Sequence, residues 1–338
     1  MARERAVVVG AGGISGAWFP PLIAEKVDLA GVVDLNLDAA RAKVAQYGLD
    51  CPASADLAAT LKKARPDFVV DLTVPEAHCA VTCTAMKAGC HVVGEKPMAS
   101  SMAEARKMVR TSEATGRMYM VSQSRRWDTL HERVRRAVVG GKIGRLTTIN
   151  CDFFLGAHFG GFRDEMESPL ILDMTIHHFD LCRFLTRAEP VAVYAKEFNP
   201  AGSWYKGDVS AACVFEMSDG VVFTYRGSWC SEGCHTSWNG DWRLIGEKGS
   251  LIYEKDGEPY GQVVASKTGF HRKLRDIKAP KASVKHGGMH GALREMLAFL
   301  RTGTMPQSEC HDNIKSLAMV FSVIDSARKH RRVPVKAM

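Results

Sequence analysis

The sequence lacks long hydrophobic runs. No window approaches the roughly 18 apolar residues that a membrane span requires, so we expect no membrane partner. Only residues 6–9 form an apolar run between Arg5 and Gly10. That run is too short for the hydrophobic part of a signal peptide. These features together predict a cytoplasmic protein.

The sequence also lacks a disulfide framework and nucleic-acid-binding motifs. Its ten cysteines show no repeating spacing, which favours reduced thiols in a chain of this length. Cys230, Cys234 and His235 resemble part of a metal site, but no second ligand pair accompanies them, so no metal is predicted. The net charge of +8 is mildly basic and suits an anionic cofactor or substrate, with no nucleic acid expected. The most basic stretch, residues 271–286, is interpreted as a solvated loop or crossover.

With 46% hydrophobic and 24% charged residues, the 338-residue chain can build full-sized cores, and two domains are expected. Residues 1–122 alternate apolar strands with helices, as in a parallel sheet covered on both faces. The predicted strands are residues 6–9, 29–33, 68–72, 91–93 and 118–121. The predicted helices run to residue 24 and over 38–47, 75–87 and 102–114. This segment is predicted to be an α/β Rossmann domain with a doubly wound parallel sheet.

Residues 123–338 have a different pattern, typical of an α+β domain with an open, largely antiparallel sheet. Asp219-Gly220 is a strong hairpin signal. The predicted strands are residues 146–154, 191–198, 211–217, 221–229, 242–245 and 250–253. The predicted helices are residues 130–139, 291–300 and 314–330.

The first chemical motif is a glycine-rich turn after the first strand. Gly10, Gly12 and Ser15 occupy the positions of a G-x-G-x-x-G fingerprint, with serine in place of the third glycine. Such a turn lets the backbone approach a pyrophosphate at a helix N-terminus. Asp34 ends the second strand, where a carboxylate accepts hydrogen bonds from ribose hydroxyls and repels a 2′-phosphate. NAD is therefore favoured over NADP, and the alternative role for Asp34 is to cap the next helix.

Lys96 is the second chemical feature. It lies in the segment Gly94-Glu95-Lys96-Pro97, directly after a short predicted strand. Ligands of open α/β sheets bind beyond the carboxyl ends of the strands. Lys96 is therefore a candidate reactive or substrate-orienting group.

A third feature is a helix predicted to begin with Ser168 as N-cap and Pro169 at its first position. Asp173, His177 and Asp180 then share one helical face, and a carboxylate beside an imidazole can raise its basicity. One alternative is an ordinary capped helix. Another is a zinc site that includes His178, although adjacent histidines on a helix diverge.

These motifs together resemble the Gfo/Idh/MocA oxidoreductases, over essentially the whole chain. The matching segments are residues 10–14, Asp34, 73–78, 88–92, 95–97, the Asp173-x-x-x-His177-x-x-Asp180 motif and 240–250. The resemblance implies a Rossmann domain followed by an open-sheet domain that often forms the oligomer interface, here in a homodimer or homotetramer. Two departures are Ser15 and Trp18, the latter where many members carry histidine.

The resemblance also implies site residues. Lys96, Asp173 and His177 correspond to the catalytic residues, and the Lys96–Pro97 bond is expected to be cis. The implied cofactor-binding residues are Gly10, Gly12, Gly13, Ile14, Asp34, Thr73, Pro75, His78, Glu95 and Lys96. The candidate substrate-binding residues are Arg125, Arg126, Trp127, His158, Arg163, His235 and Trp238. Each of the latter has packing or surface exposure as its alternative role.

The function predicted is hydride transfer between NAD and a hydroxyl-bearing carbon of a sugar, polyol or cyclitol, so the partner is a small carbohydrate-like substrate. His177 is preferred as base, Asp173 orients it, and Lys96 steadies the developing alkoxide. One alternative is an NAD-dependent glycoside hydrolase that oxidises its substrate transiently. A second is a non-catalytic NAD-binding protein.

Overall fold

The computed structural model describes residues 3–338 and divides into two compact units. The first unit comprises the chain up to Trp127, Lys285–Ile314 and Ala337–Met338. The second comprises Asp128–Val284 and Lys315–Lys336. The sequence pattern predicts two continuous domains, residues 1–122 and 123–338, whereas each compact unit is built from separate segments of the chain.

The first unit contains a six-stranded parallel sheet in the order β3-β2-β1-β4-β5-β6. Its strands are β1 (Arg5–Val9), β2 (Asp28–Val33), β3 (Ala53–Ser54), β4 (Phe68–Asp71), β5 (His91–Gly94) and β6 (Tyr119–Val121). The central strands are buried along nearly their whole length, as expected for a sheet covered on both faces. The strand order reverses between β1 and β4, where doubly wound sheets bind their ligands.

Helices connect these strands, and side-chain caps fix several of their starting points. They are α1 (Ser15–Ala24), α2 (Leu37–Gln46), α3 (Leu57–Ala64), α4 (Pro75–Lys87) and α5 (Met102–Thr115). The side chains of Asn36, Asp56 and Ser101 accept backbone N–H groups at the starts of α2, α3 and α5. No element was predicted between residues 48 and 67, so β3 and α3 are additions to the predicted pattern.

The second unit contains a nine-stranded mixed sheet in the order β14-β13-β12-β11-β7-β10-β9-β8-β15. Its elements are α6 (Thr129–Val139), β7 (Leu146–Phe154), α7 (Phe162–Glu165), α8 (Thr175–Thr186), β8 (Pro190–Phe198), β9 (Ser210–Met217), β10 (Val222–Ser228), β11 (Asp241–Gly246), β12 (Gly249–Tyr253), β13 (Tyr260–Val264), β14 (Leu274–Lys278) and β15 (Val333–Pro334). Of its neighbouring pairs, β7 and β10 are parallel and the others are antiparallel.

One face of this sheet is buried and the other is open. Burial alternates along β8 and β9, the pattern of an antiparallel sheet with one solvated face. On the covered side, Phe179 of α8 packs edge-on against Phe215 and Tyr225, with ring centroids 5.0 and 5.4 Å apart. The predicted hairpin between β9 and β10 is confirmed, since Asp219 and Gly220 both have positive φ values.

Two long helices follow, α9 (Gly288–Thr302) and α10 (Cys310–Lys329). Helix α9 begins three residues before its predicted start at residue 291, and α10 begins four residues before its predicted start at residue 314. No helix within residues 3–338 is long and apolar enough to cross a membrane. The fold class is confirmed: a Rossmann-like α/β unit and a unit with a largely antiparallel sheet.

Two predicted features of the second unit are wrong. The basic stretch 271–286 is not wholly a loop, because residues 274–278 form β14 and pair with β13. Ser168 does not cap an α-helix: a π-helical turn, Leu170–Met174, precedes α8, and no side chain caps it. Ser168 instead lies beside the buried carboxyl group of Glu197.

Candidate functional site

The glycine turn after β1 is shaped by close backbone packing on one side and open space on the other. Gly10 has φ +100°, and a Cβ there would lie 2.6 Å from the carbonyl carbon and oxygen of Leu72. Only glycine fits this position. At Gly12 and Gly13, by contrast, a Cβ would meet no atom within 4 Å. The backbone of Gly12 and Gly13 is therefore uncovered by side chains beside the start of α1.

Ser15, at the position of the third glycine, is fully buried. Its hydroxyl donates to the carbonyl oxygen of Gly12 at 2.6 Å, so this side chain holds the turn closed. The backbone N–H groups of Ser15 and Gly16 bond back to Gly12 and Gly13 at 3.2 Å. The turn leads directly into α1, whose N-terminus favours an anion.

Asp34, at the end of β2, links the glycine turn to the start of α2. One carboxylate oxygen accepts the N–H of Ala11 at 2.7 Å, and the other accepts the N–H of Asn36 at 2.8 Å. Asn36, not Asp34, caps α2, so the capping alternative for Asp34 does not hold. Each carboxylate oxygen retains a further lone pair for a ribose hydroxyl.

A buried polar network follows β4. The carboxylate of Asp71 accepts the hydroxyls of Thr73 and Thr82 at 2.6 and 2.9 Å, and lies 3.1 Å from Nδ1 of His78. Sequence reasoning missed Asp71, and its place at the end of an apolar strand was the available signal. His78 is 1% exposed, and its Nδ1 also lies 3.4 Å from the hydroxyl oxygen of Thr73. Pro75 stands at the first position of α4.

The Glu95-Lys96-Pro97 segment follows β5, and Glu95 is its buried anchor. One Glu95 oxygen accepts Nε1–H of Trp18 at 2.7 Å, and the other accepts the N–H of Lys96 at 3.1 Å. Burial raises the pKa of Glu95, partly offset by the bond from Trp18. The Lys96–Pro97 bond is cis, as the resemblance implies. Trp18 therefore holds the loop that carries Lys96, a role that sequence reasoning did not assign.

The predicted cofactor residues of the first unit thus gather at one edge of its sheet. Gly10 follows β1, Asp34 follows β2, Thr73 follows β4 and Lys96 follows β5, and these four strands are neighbours. A dinucleotide fits this edge because bare glycine backbone, a helix N-terminus and a partly exposed carboxylate stand together there. Gly12, Gly13 and Ile14 would hold the pyrophosphate and Asp34 the adenosine ribose.

In the second unit, Asp173 lies within the π turn and His177 in the first turn of α8. In a π turn the backbone hydrogen bonds join residues five apart instead of four. Asp173 therefore lies before the α-helix begins, and it does not belong to the continuous α-helical face that was predicted to include His177. Such turns are frequent at functional sites. Asp180, further along α8, is buried and accepts the hydroxyl of Ser316 at 2.8 Å. Its role is internal to the second unit.

Arg163 is the candidate substrate residue that the structure brings to Asp173. Its Nε donates to the Asp173 carboxylate at 2.6 Å. Its guanidinium also lies over the rings of Phe159 and Phe162, at 4.9 and 4.7 Å from the centroids. Both phenylalanines are exposed, and sequence reasoning missed them. This group presents aromatic faces and a fixed cation beside the predicted catalytic carboxylate.

His178, next to His177, is a core residue. Its ring is buried, its Nε2 donates to the carbonyl oxygen of Trp238 at 3.3 Å, and its Nδ1 lies 3.4 Å from the hydroxyl of Tyr225. Both ring nitrogens are therefore engaged away from Asp173. This arrangement speaks against the zinc alternative that joined His177 and His178.

The remaining substrate candidates have partners within their own units. In the first unit, Arg126 bonds Asp312 at 2.7 Å and Trp127 donates to Glu295 at 2.9 Å. Both side chains are nearly buried, which favours the packing role for them. Arg125 beside them is half-buried.

In the second unit, His158 stacks on Trp204 at 3.7 Å and pairs with Glu232 at 2.8 Å. His235 accepts the N–H of Gly156 at 3.3 Å. The exposed ring of Trp238 lies 6.2 Å from that of Phe159. Trp238 and Arg163 therefore flank the same exposed aromatic side chain.

Comparison with known proteins agrees with this geometry. Residues 4–123 match the oxidoreductase family with an NAD-binding Rossmann fold, and residues 131–252 match the GFO/IDH/MocA C-terminal domain. A D-apiose dehydrogenase of Paraburkholderia graminis is 26% identical, over 92% of this chain and 84% of that protein. An inositol 2-dehydrogenase of Rhizobium meliloti is 24% identical, over 91% of each.

Solved structures share the fold over nearly the whole chain. An oxidoreductase from Agrobacterium radiobacter, in complex with NAD+, L-tartaric acid and magnesium, superposes with a TM-score of 0.86 at 19% identity and covers 99% of both chains. The two matched family regions together span most of the described chain. This chain therefore belongs to the Gfo/Idh/MocA family and is an NAD-binding oxidoreductase.

Proposed function

We propose that this protein transfers a hydride between NAD and a hydroxyl-bearing carbon of a sugar, polyol or cyclitol. The main support for this proposal is the group of residues at the ends of β1, β2, β4 and β5. These residues combine a candidate dinucleotide-binding site with the loop that holds Lys96. Family relatives named D-apiose dehydrogenase, 1,5-anhydro-D-fructose reductase and inositol 2-dehydrogenase support the substrate class. Bound NAD would supply the hydride acceptor.

The chain's own residues would handle the proton and the developing charge. His177 takes the hydroxyl proton, and Asp173 orients its imidazole. Lys96 donates a hydrogen bond to the reacting oxygen as negative charge grows there, a contribution worth about 3 to 4 kcal/mol in a dry site. Arg163 fixes the Asp173 carboxylate through its 2.6 Å bond. The exposed Phe159 and Trp238 rings offer apolar faces to the C–H groups of a polyhydroxylated ligand.

We propose NAD in preference to NADP for an electrostatic reason. The Asp34 carboxylate would accept ribose hydroxyls but repel a 2′-phosphate. No arginine or lysine stands next to it in residues 35–37 to hold that phosphate. We also propose that the protein is a homodimer or homotetramer.

The proposed reaction is tested by following NADH absorbance with a panel of sugars, inositols and sugar acids. We expect net NADH formation with at least one of them and a higher kcat/KM with NAD than with NADP. Lys96→Met should lower kcat by about 100- to 1000-fold, and His177→Asn by about 100- to 10,000-fold. The matched controls are Lys62→Met and His271→Asn, which change exposed side chains of the same types.

Three outcomes would contradict the proposal. Near-normal turnover of both Lys96→Met and His177→Asn would remove the assigned roles. Cleavage of aryl glycosides without net NADH would instead indicate the NAD-dependent glycosidase. Binding of NAD with no turnover of either kind would indicate a non-catalytic binding protein.

A further inference from the structure

A group of three metal-ligating side chains lies in the first unit, separate from the strand-end residues. Glu25 follows the last residue of α1, His286 stands two residues before α9, and His290 lies in the first turn of α9. One ligand atom from each residue lies within 4.8 Å of the others. Glu25 and His290 are 265 positions apart in the sequence, so the sequence spacing does not predict that these side chains meet.

The three side chains are partly buried and already in contact. Nε2 of His290 lies 2.7 Å from a carboxylate oxygen of Glu25. The rings of His286 and His290 face each other with centroids 4.1 Å apart. Nε2 of His286 is buried and has no hydrogen-bond partner among residues 3–338. A buried polar nitrogen without a partner costs free energy, which a bound ion or water would recover.

We propose that Glu25, His286 and His290 bind one zinc ion, with water as a fourth ligand. Two imidazoles and one carboxylate are a ligand set that zinc accepts, with bonds of about 2.0–2.2 Å. Ligand atoms in such a tetrahedron are roughly 3.3–3.5 Å apart. The present separations between the ligand atoms, 2.7 Å to within 4.8 Å, bracket that distance.

Two cationic side chains border the site. Arg294, one turn along α9 from His290, donates Nη1–H to both Glu25 oxygens at 3.0 and 3.2 Å. Lys285 precedes His286 in the sequence and is exposed. Zinc would take the oxygen that now faces His290, and Arg294 would keep the other one. An outer hydrogen bond of this kind orients a ligating carboxylate.

The proposed ion would join the end of α1 to the start of α9. Those two helices pack together in the first unit, and the segment carrying His286 and His290 is distant in sequence from the Rossmann strands. Zinc bound only by the folded protein would stabilise it by mass action. The site is independent of the proposed hydride transfer, since none of its residues belongs to the strand-end row.

The test is zinc titration of the full-length, chelator-treated protein by calorimetry, with thermal unfolding measured in parallel. We expect one zinc per chain and a higher Tm with zinc. His286→Asn and His290→Asn should each weaken binding by at least about tenfold, because loss of an outer-shell partner alone costs 10- to 100-fold. His311→Asn is the control: His311 contacts Glu113 and Glu309 in the same unit and should leave zinc affinity unchanged.

Cobalt substitution distinguishes metal binding at this site from metal binding by the thiolates of the ten cysteines. Tetrahedral cobalt held by nitrogen and oxygen ligands should show ligand-field bands without a thiolate charge-transfer band. Three results would overturn the proposal: no stoichiometric zinc on the wild-type protein, unchanged affinity in both histidine variants, or a cobalt spectrum with thiolate ligation. Loss of zinc from the variants with normal NAD turnover would leave both the zinc site and the proposed function standing.

Discussion

At the scale of single residues, the bond between Trp18 and Glu95 shows how a buried charge is held beside a reactive loop. Both side chains are almost fully buried, and the indole N–H of Trp18 donates to the Glu95 carboxylate at 2.7 Å. A buried carboxylate without donors is costly. Trp18 therefore stabilises the ionised form of Glu95, and Glu95 in turn fixes the backbone of Lys96.

Trp18→Phe should lower the free energy of unfolding by about 1.5–3 kcal/mol from this bond alone, because hydrogen bonds to charged groups fall in that range. The loss should grow as pH rises, since an ionised Glu95 needs the donor more than a protonated one does. Urea unfolding at several pH values measures both effects.

The matched control is Trp242→Phe. Trp242 is equally buried, but its Nε1 donates to a neutral carbonyl oxygen, that of Asn239, at 2.8 Å. Its loss should cost less and should not depend on pH. Equal losses in the two variants would contradict a charge-assisted bond at Glu95.

At the scale of structural elements, two glycines in the turn between β1 and α1 have different roles, one in folding and one in cofactor binding. Gly10→Ala places a methyl group 2.6 Å from the Leu72 backbone at a positive φ, so it should destabilise the fold by more than about 1 kcal/mol. Gly12→Ala meets open space, so it should fold normally but bind NAD at least about tenfold more weakly. Thermal unfolding and NAD titration distinguish the two. Unchanged NAD affinity in Gly12→Ala would place the cofactor elsewhere.

Strand β8 carries a carboxyl group that makes stability depend on pH. Burial raises the pKa of Glu197 to about 7, with a smaller opposing effect from the neighbouring Ser168 hydroxyl. Oε1 of Glu197 is buried and has no hydrogen-bond partner in the described chain. The folded protein therefore holds this proton more tightly than the unfolded chain does, and wild-type stability falls as pH rises from about 4.5 to 7.

Glu197→Gln should remove that fall. Its free energy of unfolding relative to the wild type should rise by about 1–3 kcal/mol between pH 5 and pH 8, measured by urea unfolding. Glu216→Gln serves as control, because Glu216 is exposed and paired with Arg332, which lowers its pKa. Its effect should be smaller and of opposite sign. A pH-independent difference for Glu197→Gln would show that this carboxyl group titrates normally.

At the scale of the whole molecule, we propose that the open face of the nine-stranded sheet contacts a second copy of the chain. Tyr194 and Val214 are paired across β8 and β9, and Val222 lies on β10 beside them. The three are 52%, 48% and 39% exposed. Exposed apolar side chains on neighbouring strands mark association surfaces.

Tyr194→Lys combined with Val214→Glu should convert the proposed homodimer or homotetramer to a smaller species, because it buries two charges in the proposed interface. Light scattering coupled to gel filtration measures the mass. Met305→Glu, which changes an exposed apolar residue of the first unit, should leave the mass unchanged. An unaltered mass for the double variant would place the interface on another surface.

Much of the fold was predictable because its signals are local. The apolar strands, their flanking glycines and the Asp219-Gly220 turn each act over a few residues, and the structure reproduces them within a few positions. The groups at strand ends were predictable for a related reason: parallel strands carry their carboxyl ends to one edge. The alternation of strands and helices therefore predicts that four residues lie at the same edge of the sheet: Gly10, Asp34, Thr73 and Lys96.

Long-range partners were decided only by the tertiary structure. The Trp18–Glu95 bond spans 77 positions, and Glu25 meets His290 across 265. The π turn before α8 replaces the helix start predicted at Ser168, and Ser168 lies beside Glu197 in the folded protein. The sequence by itself determined most of the elements and the family, since those follow from local pattern. Which buried polar group meets which partner depends on packing between distant segments, and that information exists only in the folded chain.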